Sequence, residues 1–316
     1  MENYLTKNET WRTNITTAKP GEHKTENRAW IVTSEYLIEK LLGLCAAVSI
    51  IAIILIALFI LIKGIPLISK VGWENFLFSL KWDPTRGFFG IGSMFVGSLF
   101  VTLASMLWSV PLGLLTAIFM AEIAPVSIGN IMARMVELLA GIPSIVYGFF
   151  GLVVIVPLIR DHLGRNGMSV LAGAIILGIM ILPTIVNISR DSLMAVPREY
   201  KEGSLALGAS HYQTIMRVIV PAARSGIITA IVLGMGRAIG ETMAVVMVTG
   251  NSTIIPDGLL SPVRTMTSNI VLEMGYASGD HQAALFATGT VLFIFIVVLN
   301  LIVNISAKAG VENGGN

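Results

Sequence analysis

Six long, almost charge-free apolar runs govern what this chain can fold into: Leu41–Ile62, Ile91–Ala121, Leu138–Ile159, Gly167–Ser189, Ser225–Val263 and Gln282–Ala307. A helix crosses the hydrocarbon of a bilayer with about 20 mostly apolar residues, so each run is long enough to span. Lipid offers no hydrogen-bond partners to the backbone, which leaves helices as the spanning form for runs of this length. The expected fold class is therefore an all-α integral membrane protein with six transmembrane helices. Composition agrees: 54% of residues are hydrophobic, 13% are charged, and the mean hydropathy is +0.80. Soluble domains carry roughly 25% charged residues. Glycine and proline recur inside the runs (Pro111, Pro143, Pro157, Pro183, Gly148, Gly151, Gly173, Gly178), as they do in helices that pack closely within a membrane bundle.

Other classes fall away on charge and cysteine usage. The formal net charge is only +2 and the basic residues are scattered, so no stripe exists for a phosphate backbone. The single cysteine, Cys45, lies in an apolar run and cannot form an intrachain disulfide. The four histidines (His23, His162, His211, His281) have no ligand spacing, so no metal site is expected.

Residues 1–33 are polar and are expected to form a disordered cytoplasmic tail, followed by a six-helix domain over 34–308 and a short tail over 309–316. The first apolar run is too long for a signal-peptide core and lacks a small-residue cleavage site. Placing both termini inside puts 13 Lys and Arg residues on the cytoplasmic side and 7 outside, which fits the positive-inside rule. The first outer loop then covers 63–90 and carries Trp73 and Trp82, with Trp73–Leu80 expected as a short helix at the lipid surface.

The inner loop 196–221 reads VPREYKEGSLALGASHYQTIMRVIVP. Two short helices are expected, the first closed by Gly208 and the second capped by Ser210, forming a rigid knob outside the membrane. Glu202, Gly203 and Ser204, then Gly208, then Val218, Val220 and Pro221 are similar to the EAA loop of binding-protein-dependent ABC importer permeases. Small residues replace both alanines of that pattern, and valines replace its aliphatics. The resemblance implies a cytoplasmic loop that docks into a cleft of an ATP-hydrolysing subunit. The strings WDPTRGFFGIGSMFVGSLFVT, ELLAGIPSIVYGFFG and GRAIGETMAVVMVTGN further resemble the phosphate permeases of the Pst system, the ETMAV ending being of the PstC type. That family implies a second, PstA-like permease subunit, two ATPase subunits and an external phosphate-binding protein. It also implies that ATP is used by the partner while this chain binds no cofactor. Consistent with a non-enzymatic role, the chain has no phosphate loop, no H-E-x-x-H and no G-x-S-x-G.

The fifth run carries Arg237 and Glu241 in GMGRAIGETMAV. A charge near a helix midpoint costs about 2.5–3.5 kcal/mol on insertion scales, so its retention points to a use. On one continuous helix the two residues stand at i and i+4 and share a face. They would then be either an ion pair that locks helices together or an anion path in which the guanidinium fork grips two oxygens and Glu241 moderates the grip. Thr242, Thr184 and Asn187 are candidates to line the path, although such residues also bond neighbouring helices. Two small-residue series, Gly226/Ala230/Gly234 and Gly236/Gly240, allow close helix approach. Within the importer class, sulfate, molybdate and phosphonate are alternative substrates. Outside it, a proton-coupled secondary transporter relaying through Glu241 is an alternative that the docking loop disfavours.

Overall fold

The computed structural model describes residues 25–164 and 166–312, with side chains over 36–164 and 166–301. Most of the expected N-terminal tail, Arg165 and the last residues of the expected C-terminal tail lie outside the described residues. In order, the elements are α1 (Thr25–Val71), α2 (Trp73–Phe78), β1 (Trp82–Asp83), β2 (Phe88–Phe89), α3 (Gly92–Ile118), α4 (Val126–Gly141), α5 (Ser144–Phe150) and α6 (Val156–Leu163). There follow α7 (Val170–Met194), α8 (Arg198–Ala206), α9 (His211–Thr214), α10 (Val220–Ala222), α11 (Arg224–Gly240), α12 (Met243–Val248), α13 (Met266–Glu273) and α14 (Gly279–Glu312). Short π-helical segments extend α3 over Phe119–Ile123, join α5 to α6 over Gly151–Ile155 and join α9 to α10 over Ile215–Ile219.

Among the described residues, five helical stretches are long and apolar enough to cross a membrane, and a sixth forms if the pair bent by 68° at Ala223 counts as one. The described helices depart from the expected spans at three places. Helix α1 begins at Thr25, inside the expected polar tail, and runs to Val71, past the expected start of the outer loop at 63. The third run is divided: α4 ends at Gly141, Ile142 is extended, and Pro143 leads into α5, so the span starts at Ser144. A residue before proline is pushed out of the helical region, which explains that boundary. The fifth run is broken at Glu241 and Thr242.

The chain divides into two units, at Leu58 and Phe59. In the first, the described apolar side chains of α1 are almost all exposed, as suits a helix whose surroundings are lipid or another subunit. In the second, α7 is the central element. Its buried face includes Ile176, Leu177, Ile181 and Ile185, which are at most 1% exposed. Glycines let its neighbours come close: a Cβ on Gly178 would lie 2.2 Å from Trp108, and one on Gly113 would lie 2.8 Å from Ile185. Trp108 Nε1 then donates to the Ala174 carbonyl at 3.2 Å, which fixes the register of α3 on α7.

At one end of the second unit β1 and β2 form an antiparallel hairpin with Trp82 opposite Phe89. Thr85 Oγ1 donates to Asp83 Oδ1 at 2.6 Å, which holds the half-buried Asp83 carboxyl below its usual range. Behind the hairpin, Trp82 and Phe89 pack with Phe76, Met94, Met266 and Leu285. At the other end α8 and α9 form a projecting knob. Its expected geometry is present in full. The chain reverses at Gly208 (φ +88°), where Gly208 N–H donates to Leu205 O and Ala209 N–H to Ser204 O. This is a glycine-closed helix end in which both orphan carbonyls are satisfied. Ser210 caps α9 and exchanges bonds with Gln213, as a capping box does.

Candidate functional site

The break in the fifth span builds the site. Helix α11 runs beside α7 until Gly240, where Glu241 turns extended (φ −67°, ψ 135°). Buried backbone groups freed by such a break need partners. Thr242 Oγ1 donates to the Gly240 carbonyl at 3.2 Å, and Thr267 Oγ1 donates to the Glu241 carbonyl at 2.9 Å. The Glu241 carboxylate takes the Ala244 N–H at 3.2 Å and so caps the start of α12. A carboxylate at a helix start is favoured by the unpaired amides there.

Glu241 and Arg237 therefore do not share a helix face, and no ion pair joins them. The i, i+4 expectation fails because the helix ends between them. Arg237 instead donates from Nη1 to Thr184 Oγ1 of α7 at 3.2 Å, and its side chain is exposed. Among the described residues no carboxylate lies within ion-pair distance of it. Thr242 and Glu241 are half-buried. Thr184 is thus brought to the site, whereas Asn187 makes no described bond to it.

The two small-residue series have different fates. Gly226 faces Ser192, Ala230 is fully buried and Gly234 faces Ile185, so that series seats α11 on α7. Gly236 and Gly240 have nothing within 4 Å of where a Cβ would stand. They flank Arg237 on a side left open by this chain, which leaves room for a ligand or another subunit beside the guanidinium.

On the knob, Glu202, Gly203, Gly208 and Pro221 are exposed and Ser204 is half-buried, with Ser204 Oγ 3.0 Å from Thr214 Oγ1 of α9. A Cβ on Gly208 would meet nothing within 4 Å, so only its backbone conformation demands glycine. Gly208→Val should cost about 1–2 kcal/mol locally because a β-branched residue is forced to positive φ. Membrane levels should stay near parental while uptake falls, and Gly208→Asn, which tolerates that region, should keep most of it. Equal uptake by the valine variant would show that the turn need not be held.

Two features escaped sequence reasoning. The side chain of Glu122, in the π segment after α3, is 8% exposed and paired with Lys201 of α8. Glu273 is buried and accepts from Trp82, Arg264 and His281. Neither pairing has a spacing signal, because the partners are separated by up to 191 residues.

A bundle of apolar spans, one broken beside an arginine with no carboxylate partner among the described residues, with a rigid helical knob at one end, defines a multi-span membrane permease. The chain belongs to the binding-protein-dependent transport system inner membrane component family, whose model matches residues 109–309. It is 43% identical over 267 residues to the probable ABC transporter permease protein YqgH of Bacillus subtilis, covering 81% of this chain and 86% of that one. It is 32% identical over 302 residues to the phosphate transport system permease protein PstC of Xylella fastidiosa, covering 88% and 93%. Among solved structures, a bacterial ABC transporter involved in the import of alginate has a chain similar in fold, with a TM-score of 0.59 at 16% identity over 89% of this chain and 99% of that one. The MetNI methionine ABC transporter gives a TM-score of 0.54 at 19% identity over 68% and 93%.

Proposed function

We propose that this chain is one of two permease subunits of an ATP-driven importer that carries inorganic phosphate across the cell membrane. The observation that carries the reading is Arg237: an exposed guanidinium at a mid-span helix break, with its nearest sequence carboxylate, Glu241, folded away to cap α12. A fixed cation without a carboxylate partner among the described residues suits a step in the passage of an oxyanion, since the planar fork matches two oxygens. The similarity to PstC proteins supports phosphate over sulfate, molybdate or phosphonate. The knob, with Glu202, Gly203, Ser204, Gly208 and Pro221, is the docking element for ATPase subunits, which hydrolyse the ATP. A PstA-like permease subunit lies against the open side of α11, and an external phosphate-binding protein delivers the substrate. Both termini are cytoplasmic in this reading.

Uptake tests the assignment. Co-expressed with a PstA-like subunit, the ATPase and the binding protein, the chain should support phosphate accumulation that excess sulfate does not compete away. That accumulation should vanish with an ATPase unable to hydrolyse ATP. Cysteines placed at the exposed Ser210 and Ser278 in a Cys45→Ala background should be labelled by an impermeant reagent only from inside and only from outside, respectively. Uptake with the inactive ATPase, or labelling of position 210 from outside, would refute the reading.

A further inference from the structure

The knob is joined by the chain only to α7 and α11, yet its strongest polar attachments run to a third element. Glu122 lies in the segment Phe119–Ile123 that closes α3. Its carboxylate is 8% exposed and meets Lys201 Nζ of α8 at 2.5 Å. A buried carboxylate without its cation carries a large desolvation penalty, so the pair holds as a unit. The carbonyl of the same residue lies 3.2 Å from His211 Nε2 of α9, which donates when that nitrogen bears its proton. Carbonyls in the last turn of a helix have no intrahelical donor, so this one is available. Lys201 and His211 stand on opposite sides of the Gly208 turn, and the Ser204–Thr214 hydroxyl contact closes α8 on α9. Two polar links thus fix the knob on one residue, and a third ties its two helices to each other. Beneath them, Ile118 of α3 packs with Leu193, Ile215 and Ile219.

We propose that Glu122 is a positioning residue that latches the knob to α3, so that a displacement applied to α8 and α9 reaches the second span directly and not only α7 and α11. This rests on the reading of the knob as the ATPase-docking element, and it adds the route by which the stroke enters the bundle. The route is useful because α3 packs along α7 through Gly113 and Gly178, and α7 carries Thr184, the partner of Arg237.

The test uses the full transporter in lipid vesicles, with Glu122→Gln, Lys201→Gln and the exchanged pair Glu122→Lys/Lys201→Glu. Spin labels at Leu205 on α8 and Val126 at the start of α4, both exposed, report the seating of the knob in the Cys45→Ala background. In the parent the distance distribution should be narrow; in each single variant it should broaden, and in the exchanged pair it should narrow again. Transported phosphate per ATP hydrolysed should fall about 10-fold in the single variants, within the usual range of inter-site coupling, and recover in the exchanged pair. A merely structural pair would change the amount of folded protein and leave the ratio per ATP untouched. A narrow, parent-like distribution in Glu122→Gln overturns the latch, and so does a broadened one with an unchanged ratio. If the parent itself transports nothing with ATP, the proposed function fails. Spin-label distributions that stay parent-like in the variants still overturn the latch independently.

Discussion

Replacing Arg237 with glutamine should abolish phosphate uptake while the chain still assembles with its partners at parental levels. Packing contributes little at this position: the side chain is exposed, its one described bond goes to Thr184 Oγ1, and a Cβ added at Gly236 or Gly240 beside it would meet nothing within 4 Å. The lost quantity is the attraction of a fixed cation for an anion in a setting where water is scarce, and such fields act far more strongly there than in bulk water. Arg237→Lys should retain part of the uptake, because it keeps the charge but loses the fork that binds two oxygens at once. Glu241→Gln should behave differently from what an ion pair would predict. With Glu241 capping α12 through the Ala244 N–H, an amide still offers an oxygen acceptor there, and the cap survives at reduced strength. Uptake should therefore fall far less than for Arg237→Gln. Uptake measured with labelled phosphate, alongside co-purification of the partner subunits, checks each point. Full uptake by Arg237→Gln would leave the arginine a structural or partner-facing role.

How much of this was legible in the sequence depended on whether the determining interaction was local. The apolar runs announced the spans because hydrocarbon thickness sets a length that composition alone reveals. The knob was legible to the residue: a glycine after a helical stretch and a serine two positions later are local signals, and Gly208 and Ser210 act as such signals predict. The division of the third run was within reach, since Pro143 disfavours helix at Ile142. By contrast, the break at Glu241 is set from a distance. Nothing in GRAIGETMAV forbids a continuous helix; the end is stabilised by Thr267, 26 residues further on, and by the carboxylate turning back onto the next helix. Counting i, i+4 along an assumed continuous helix therefore paired two side chains that the fold separates. Glu122 and Glu273 were invisible for the same reason. Each is paired across the fold, and a lone carboxylate just after an apolar run, as Glu122 is, or between two runs, as Glu273 is, looks like an ordinary boundary or loop charge.

Truncating Glu273 should destabilise the described chain strongly. It is 7% exposed, and its two oxygens take three donors: Arg264 Nη1 at 2.6 Å on one, Trp82 Nε1 at 2.9 Å and His281 Nε2 at 2.8 Å on the other. These donors come from the loop before α13, from β1 and from α14, so one carboxylate ties the hairpin end of the second unit together. Arg264 also holds the Asn251 carbonyl at 2.9 Å and Asn269 Oδ1 at 3.0 Å, which fixes the loop that follows the fifth span. Removing the carboxylate leaves Arg264, whose side chain is 18% exposed, charged and without its counter-ion, and leaves the buried indole N–H without an acceptor. Breaking one side of a buried ion pair costs about 3–5 kcal/mol, most of it from the abandoned partner. Glu273→Leu should accordingly lower the thermal unfolding midpoint of the purified protein strongly, and Glu273→Gln, which keeps an acceptor, should lower it less. The double variant Glu273→Leu/Arg264→Leu should recover much of the loss, since it removes the stranded charge along with the vanished one. If the double variant is instead as unstable as the sum of the two single changes, the pair is not coupled, and the cohesion of this end lies in the apolar packing of Trp82, Phe89 and Leu285 beneath it.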